Sequence, residues 1–227
     1  GVIGAAVADH EQLEITERLA QHAADRVRQH RTPVVRGDDD GDARGHRVLP
    51  AVETLGATSI ICSDKTGTLT RNEMSARRLI MASGTYLIEG EGYAPWGRVT
   101  DDTGNSVQVS EPARRLVLSA LLCNDARLHV SADQVHTDGD PMEVALLALA
   151  ARAGMDADTL RSESPRLDEI PFDAQHRYMA TLHRKHDGSA MLMVKGAPER
   201  VLSMCTHHIT AAGIVPLDAA YWQDAID

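Results

Sequence analysis

The rhythm of apolar and polar positions changes near residue 47. Before it, EQLEITERLAQHAADRVRQH places Leu13, Thr16, Ala20, Ala24 and Val27 along one side of an amphipathic helix. RGDDDGDARGH then packs charge with Gly and reads as linker or disorder. After it, ATSIICS is a short apolar run ending in turn-formers, which predicts a buried strand. ARRLIMASGTYLIEGEG predicts two strands around Ser83 and Gly84, and GRVTDDTGNSVQV a hairpin with Thr103, Gly104 and Asn105 near its turn. A helical stripe of Ala113, Leu116, Val117, Ala120 and Leu121, with Pro112 in the first turn, predicts a helix over 111–123. PMEVALLALAARA, residues 141–153, is apolar on nearly every face and so predicts a buried helix. Asp140 is its natural N-cap, Pro141 its first residue and Gly154 its stop. HRYMATLHRKHDGSAMLMVKG predicts a hairpin turned by Asp187 and Gly188, PERVLSMC a short helix, and AAYWQDAID the start of another.

These elements describe an α/β chain. Residues 1–46 are a segment of unclear relation, partly helical or disordered; 47–74 hold one strand, a loop and a hinge; 75–227 form a mostly antiparallel sheet with flanking helices, α+β in character. Apolar residues make up 43% of the chain, enough for a core, although only 3% are aromatic and Phe172 is the one Phe. A formal net charge of −10 argues against nucleic acid as a partner. Cys62, Cys123 and Cys205 are widely spaced without a C-x-x-C pair, which suits reduced thiols in a cytosolic compartment. No stretch approaches the roughly 20 apolar residues of a membrane helix, so the chain as written is expected to be soluble. DDDGD carries no later liganding carboxylate and is read as linker, not as a calcium loop. His207 and His208 lack partners at ligand spacing and are read as surface, and Cys62 as a buried strand residue.

Candidate chemistry starts at SIICSDKTGTLTRNEM, where Asp64 ends an apolar strand and opens a loop of Lys, Thr and Gly. The carboxyl end of such a strand is where α/β proteins place their chemistry. A carboxylate there can attack the terminal phosphorus of ATP, given a cation and donors beside it. Lys65 supplies charge, Thr66 and Thr68 hydroxyls and backbone, and Gly67 close backbone approach. The competing reading of Asp64 is a turn or N-cap residue.

DKTGTLT resembles the phosphorylation signature of the P-type ATPases. The resemblance extends through RVLPAVETLGATSIICSDKTGTLTRNEM, GEGYAPWG, CNDARL, GDPMEVALLALAARAG, EIPFDAQHRYMATLH and VKGAPERVLSMC, about residues 47–227, and is to the branch of calcium, sodium/potassium and proton pumps. It implies a haloacid-dehalogenase-like phosphorylation domain, of which only the first strand and loop lie here, beside most of a nucleotide-binding domain. It implies ATP and Mg²⁺ as cofactors, with Asp64 the phosphorylated residue and Thr66 holding phosphate and, with Asp64, Mg²⁺. In related phosphatases a second Asp stands two positions after the nucleophile; Thr66 stands there in this chain, and a hydroxyl cannot replace that general acid/base.

By the same resemblance, Phe172 stacks on adenine, Arg177 approaches the phosphates, Lys195 lines the adenine pocket, and Gly196 leaves room for the base. Glu143 is expected to contact the nucleotide, while its D-x-x-E spacing from Asp140 equally fits a capping box. His176 and Met142 depart from the family's usual Arg or Lys and Thr. The resemblance leads one to expect three further segments beyond these motifs: membrane helices upstream, the last strands of the nucleotide domain, and downstream T-G-D and T-G-D-G-x-N-D segments. A frame error, deletion or engineered junction is the expected origin of residues 1–46. The expected partners are ATP, the remainder of a pump, and a transported cation reached only through those membrane helices, on the cytoplasmic side of a cell membrane. A nucleotide-binding fragment without turnover is the alternative. No G-x-x-x-x-G-K-[ST] is present, which excludes a P-loop ATPase.

Overall fold

The computed structural model describes the backbone of residues 4–8 and residues 73–131 and 134–226 in full. The strand and loop expected around Asp64, Lys65 and Thr66, the helix expected from Leu13 to Val27 and the linker after it lie outside the described residues. All described elements belong to one compact unit, and every strand pairing in it is antiparallel.

The sheet is divided rather than continuous. β1 (Gly4–Ala8), β9 (Ala190–Gly196), β8 (Tyr178–Arg184) and β7 (Arg166–Asp173) form the main sheet in the order β1-β9-β8-β7. β2 (Arg78–Met81), β3 (Gly84–Glu89) and β4 (Arg98–Thr100) form a second, while β5 (Arg127–Ser131) with β6 (Gln134–Asp138) and β10 (His207–Thr210) with β11 (Gly213–Pro216) are two-stranded hairpins. The hairpin expected over 97–109 is reduced to an isolated bridge between Thr100 and Ser106. Asp101 turns the chain there by accepting from the amides of Thr103 and Asn105 at 3.0 and 2.9 Å, an Asx turn that competes with further pairing.

Both expected helices form. α1 spans Glu111–Leu122 with Pro112 in its first turn, and α2 spans Pro141–Arg152. Asp140 caps α2 by accepting from the amides of Met142 and Glu143 at 2.9 and 3.4 Å. Val144 to Ala150 are all buried, as a helix without a polar stripe requires. Three shorter helices follow: α3 (Ala157–Glu163), α4 (Pro198–Leu202) and α5 (Ala219–Ile226). No described helix is long and apolar enough to cross a membrane.

Two cores use the two faces of the main sheet. On one face, Met179 and Met193 join the buried residues of α1, α2 and the second sheet, among them Val117, Leu121, Leu147, Leu79 and Ile88. On the other, Tyr178, Ala180, Leu192 and Val194 pack with Val201 of α4. This alternation follows from the period of two along β8 and β9. Lys195 falls in phase with Met193, so its stem shares the methionine face and its ammonium is carried to the start of α2.

Candidate functional site

The residues singled out in the nucleotide-side motifs converge at one end of the main sheet. β9 pairs Lys195 with Met179 of β8. On the other side of β8, the pairing with β7 jumps from Ile170–Ala180 to Asp173–Tyr178, so Pro171 and Phe172 sit in a bulge opposite Met179. Phe172 and Lys195 therefore share one level of the sheet two strands apart, about 10 Å along the pairing direction. Their environments differ sharply: Phe172 is 61% exposed, Lys195 only 3%. A Phe in a core would be covered; this ring is presented to solvent.

The Lys195 ammonium is paired with the Glu143 carboxylate through Oε1. Glu143 Oε2 accepts from the amides of Asp125 and Ala126 at 3.0 and 3.2 Å. The capping-box expectation is thus half met. Asp140 caps the helix, while the Glu143 carboxylate is engaged by Lys195 and the α1–β5 loop and does not return to the Asp140 amide. A buried ammonium is costly unless paired and hydrogen-bonded, and Glu143 supplies both needs. Asn124, itself buried, fastens the same loop by donating to the Glu143 carbonyl at 2.9 Å and accepting from the Ala126 amide at 2.9 Å.

Arg177 closes the β7–β8 turn in the left-handed region at φ 58°, a conformation uncommon for a residue with a Cβ. Asp173 stabilises the turn, accepting at its side chain from the amides of Gln175 and His176 at 2.7 and 3.2 Å and at its carbonyl from Arg177 at 2.7 Å. The Arg177 guanidinium is half-exposed and forms an ion pair of 2.6 Å with Glu199 of α4. Gly196 has a local reason to be glycine: a Cβ there would lie 2.4 Å from the Arg177 carbonyl oxygen and 2.7 Å from Tyr178 Cβ. The chain itself therefore requires a glycine at 196, beside the role that the motif assigns to it at the base.

The motif reading missed the cations that hold this end of the sheet. Arg166, at the start of β7, donates to Asp125 and Glu169 at 2.5 and 2.7 Å and to the carbonyls of Leu122 and Asn124 at 3.1 and 2.8 Å. Arg161 of α3 donates to the carbonyls of Asn124 and Ala126 at 3.2 and 3.0 Å. An Arg in a strand or short helix has no periodic signature, so only its neighbours reveal it. Chemically, the site joins an exposed aromatic face, a half-exposed guanidinium and a buried ammonium–carboxylate pair. Such a set suits a flat polar ring carrying an anionic tail.

Fold and site thus define an α+β domain with an exposed aromatic residue and a buried ion pair on one antiparallel sheet. Residues 112–227 match the family described as P-type ATPase, cytoplasmic domain N, and the chain belongs to that family. It is 42% identical over 166 residues to the cation-transporting ATPase pma1 of Synechocystis, covering 70% of this chain and 18% of that protein. It is 42% identical over 178 residues to the probable cation-transporting ATPase F of Mycobacterium tuberculosis, covering 77% of this chain and 19% of that one. It is 37% identical over 154 residues to a calcium-transporting ATPase of Bacillus subtilis, covering 67% and 17%. The chain therefore spans about a fifth of the length of these curated relatives.

Proposed function

We propose that this chain supplies the ATP-binding region and phosphorylation loop of a P-type cation-transporting ATPase. The observation that carries the reading is the placement of Phe172 and the Lys195–Glu143 pair at one level of the main sheet. An exposed ring offers a stacking face for adenine. Their motifs assign Lys195 and Glu143 as donor and acceptor for the polar edge of the base, and the same resemblance assigns the phosphates to Arg177, half-exposed and paired with Glu199. ATP is the phosphoryl donor. Mg²⁺, assigned to Asp64 and Thr66 by their motif, would neutralise charge on the transferred group. Asp64 is assigned as the phosphoryl acceptor by the same motif, and Lys65 as a neighbouring positive charge. The transported cation and the rest of the pump are the partners of the longer protein.

The reading is tested by titrating the chain with ATP, followed by NMR. Base–aromatic stacking is worth about 1–3 kcal/mol, so Phe172→Ala should raise the dissociation constant roughly tenfold. Because the ring is exposed, the unfolding midpoint should stay where it was. Asp64→Ala should leave affinity unchanged. Equal losses from both substitutions, or no shift of the Phe172 and Lys195 resonances on addition of ATP, would refute the assignment.

A further inference from the structure

The loop that joins α1 to β5 has no regular structure, yet its backbone is held by side chains from three other elements. Carbonyls at the end of α1 and along the loop face cations: Leu122 and Asn124 accept from Arg166, and Asn124 and Ala126 from Arg161. Its amides face an anion: Asp125 and Ala126 donate to Glu143 Oε2. The Asp125 side chain completes the contact with Arg166 at 2.5 Å. The loop is thus a strut with guanidinium groups on one side and the carboxylate of the Lys195 pair on the other.

We propose that Arg166 is a positioning residue for the Glu143–Lys195 pair: by clamping the Leu122–Ala126 loop it holds the Asp125 and Ala126 amides against Glu143 and so fixes the carboxylate beside Lys195. The fork geometry is the reason an arginine is needed. One Arg166 nitrogen serves Asp125 and Glu169 while the other serves two carbonyls, and the compact ammonium of a lysine cannot span both sets. Arg166 and Glu169 also belong to the strand that carries Phe172. One guanidinium therefore ties the aromatic side of the site to its ion-pair side. The role for nucleotide rests on the reading proposed above; the role for the ion pair does not.

The test uses the whole chain with Arg166→Lys, which keeps the charge, and with Glu143→Gln, alone and combined. Arg166→Lys should speed hydrogen exchange of the Asp125 and Ala126 amides about tenfold while amides in the centre of β8 keep their protection. It should also raise the dissociation constant for ATP about fivefold, and add less than about twofold on the Glu143→Gln background, because residues in one network are non-additive. Unchanged exchange at Asp125 and Ala126 would overturn the proposal, as would fully multiplicative losses of affinity in the double variant. So would exchange that rises uniformly across β8, since that is a general loss of stability. Should Arg166→Lys fail to fold, Arg166→Gln is measured in its place against the same criteria. If the unsubstituted chain binds no ATP, the nucleotide reading falls, and the exchange at Asp125 and Ala126 alone decides the role of Arg166.

Discussion

The two ends of α2 carry opposite charges in opposite kinds of surroundings. At the first turn, Glu143 meets side chains and amides drawn from β9 and the α1–β5 loop. At the last turn, Arg152 is buried, and its guanidinium donates to the carbonyls of Glu91, Gly92 and Ala94 at 2.9–3.1 Å. Both charges have the sign the helix dipole favours. The partners make the difference. Glu143 and Lys195 pair side chain to side chain, with two loop amides beside them, whereas the Arg152 guanidinium is enclosed by backbone carbonyls. The GEGYAPWG segment is shaped around it: a Cβ on Gly97 would lie 2.2 Å from the Glu89 carbonyl oxygen and 3.1 Å from Arg152 Cδ. Burial, and then the nearby Arg77, lower the pKa of Arg152. One end of the helix is held by another side chain and the other by backbone.

Removing the backbone-held end should have the largest effect. Arg152→Ala strands the carbonyls of Glu91, Gly92 and Ala94 without donors and empties the space the guanidinium fills. It should cost about 3–5 kcal/mol of unfolding free energy, at the high end for single substitutions. Urea denaturation checks this, and Arg152→Lys should recover less than half of the loss, because one ammonium cannot reach the same carbonyls.

The side-chain-paired end should tolerate more. In Lys195→Met, Glu143 keeps the Asp125 and Ala126 amides as donors, so the expected cost is about 1–2 kcal/mol. Adding Glu143→Gln should make the loss no larger, since a buried pair replaced on both sides is often close to neutral. A double variant that loses stability as steeply as Arg152→Ala would erase the contrast between the ends.

The smallest effect separates both ends from the sheet itself. His183 is buried on β8, with Nδ1 at 2.8 Å from the Ser164 carbonyl and Nε2 at 2.9 Å from Thr181 Oγ1. Burial pushes its pKa down, against the bond to Ser164, and Arg166 and Arg161 push the same way as burial. With the folded pKa below the ordinary value of about 6.5, the unfolded chain takes up the proton first as pH falls. Stability is therefore complete above pH ~6.5 and declines as pH drops below it toward the folded pKa. His183→Gln should flatten the slope of unfolding free energy between pH ~7.5 and ~5.5. An unchanged slope would remove His183 from the account.

Legibility in the sequence followed the range of the interactions. α1 and α2 were readable because Pro112, Asp140, Pro141 and the apolar spacing are local signals, and Asp187 with Gly188 marked the β8–β9 turn. The hairpins β5–β6 and β10–β11 were not read, because HVS and HHIT are short, exposed and polar in places. The pairing of β1 with β9 joins segments at opposite ends of the chain and leaves no local trace. Within the site, motif resemblance picked out Phe172, Lys195 and Glu143, but the work of Arg166 and Arg152 depends on carbonyls whose positions only the fold determines. An arginine ending an otherwise apolar helix was the one available hint for Arg152. The expectations for Asp64, Lys65 and Thr66 lie outside the described residues and rest on their motif.

The bulge in β7 also governs how the protein behaves in company. Among the described strands β7 is an outer one, and an outer strand with free amides and carbonyls invites a second chain to add to the sheet. The segment RLDEIPFD resists that addition: its pairing is irregular at two places, Pro171 lacks an amide, and Asp168, Glu169 and Asp173 scatter charge along it. An uncovered phenyl ring would ordinarily make such a border adhesive. Here the distortion that exposes Phe172 also spoils the regular ladder that a neighbouring molecule would need to add to β7.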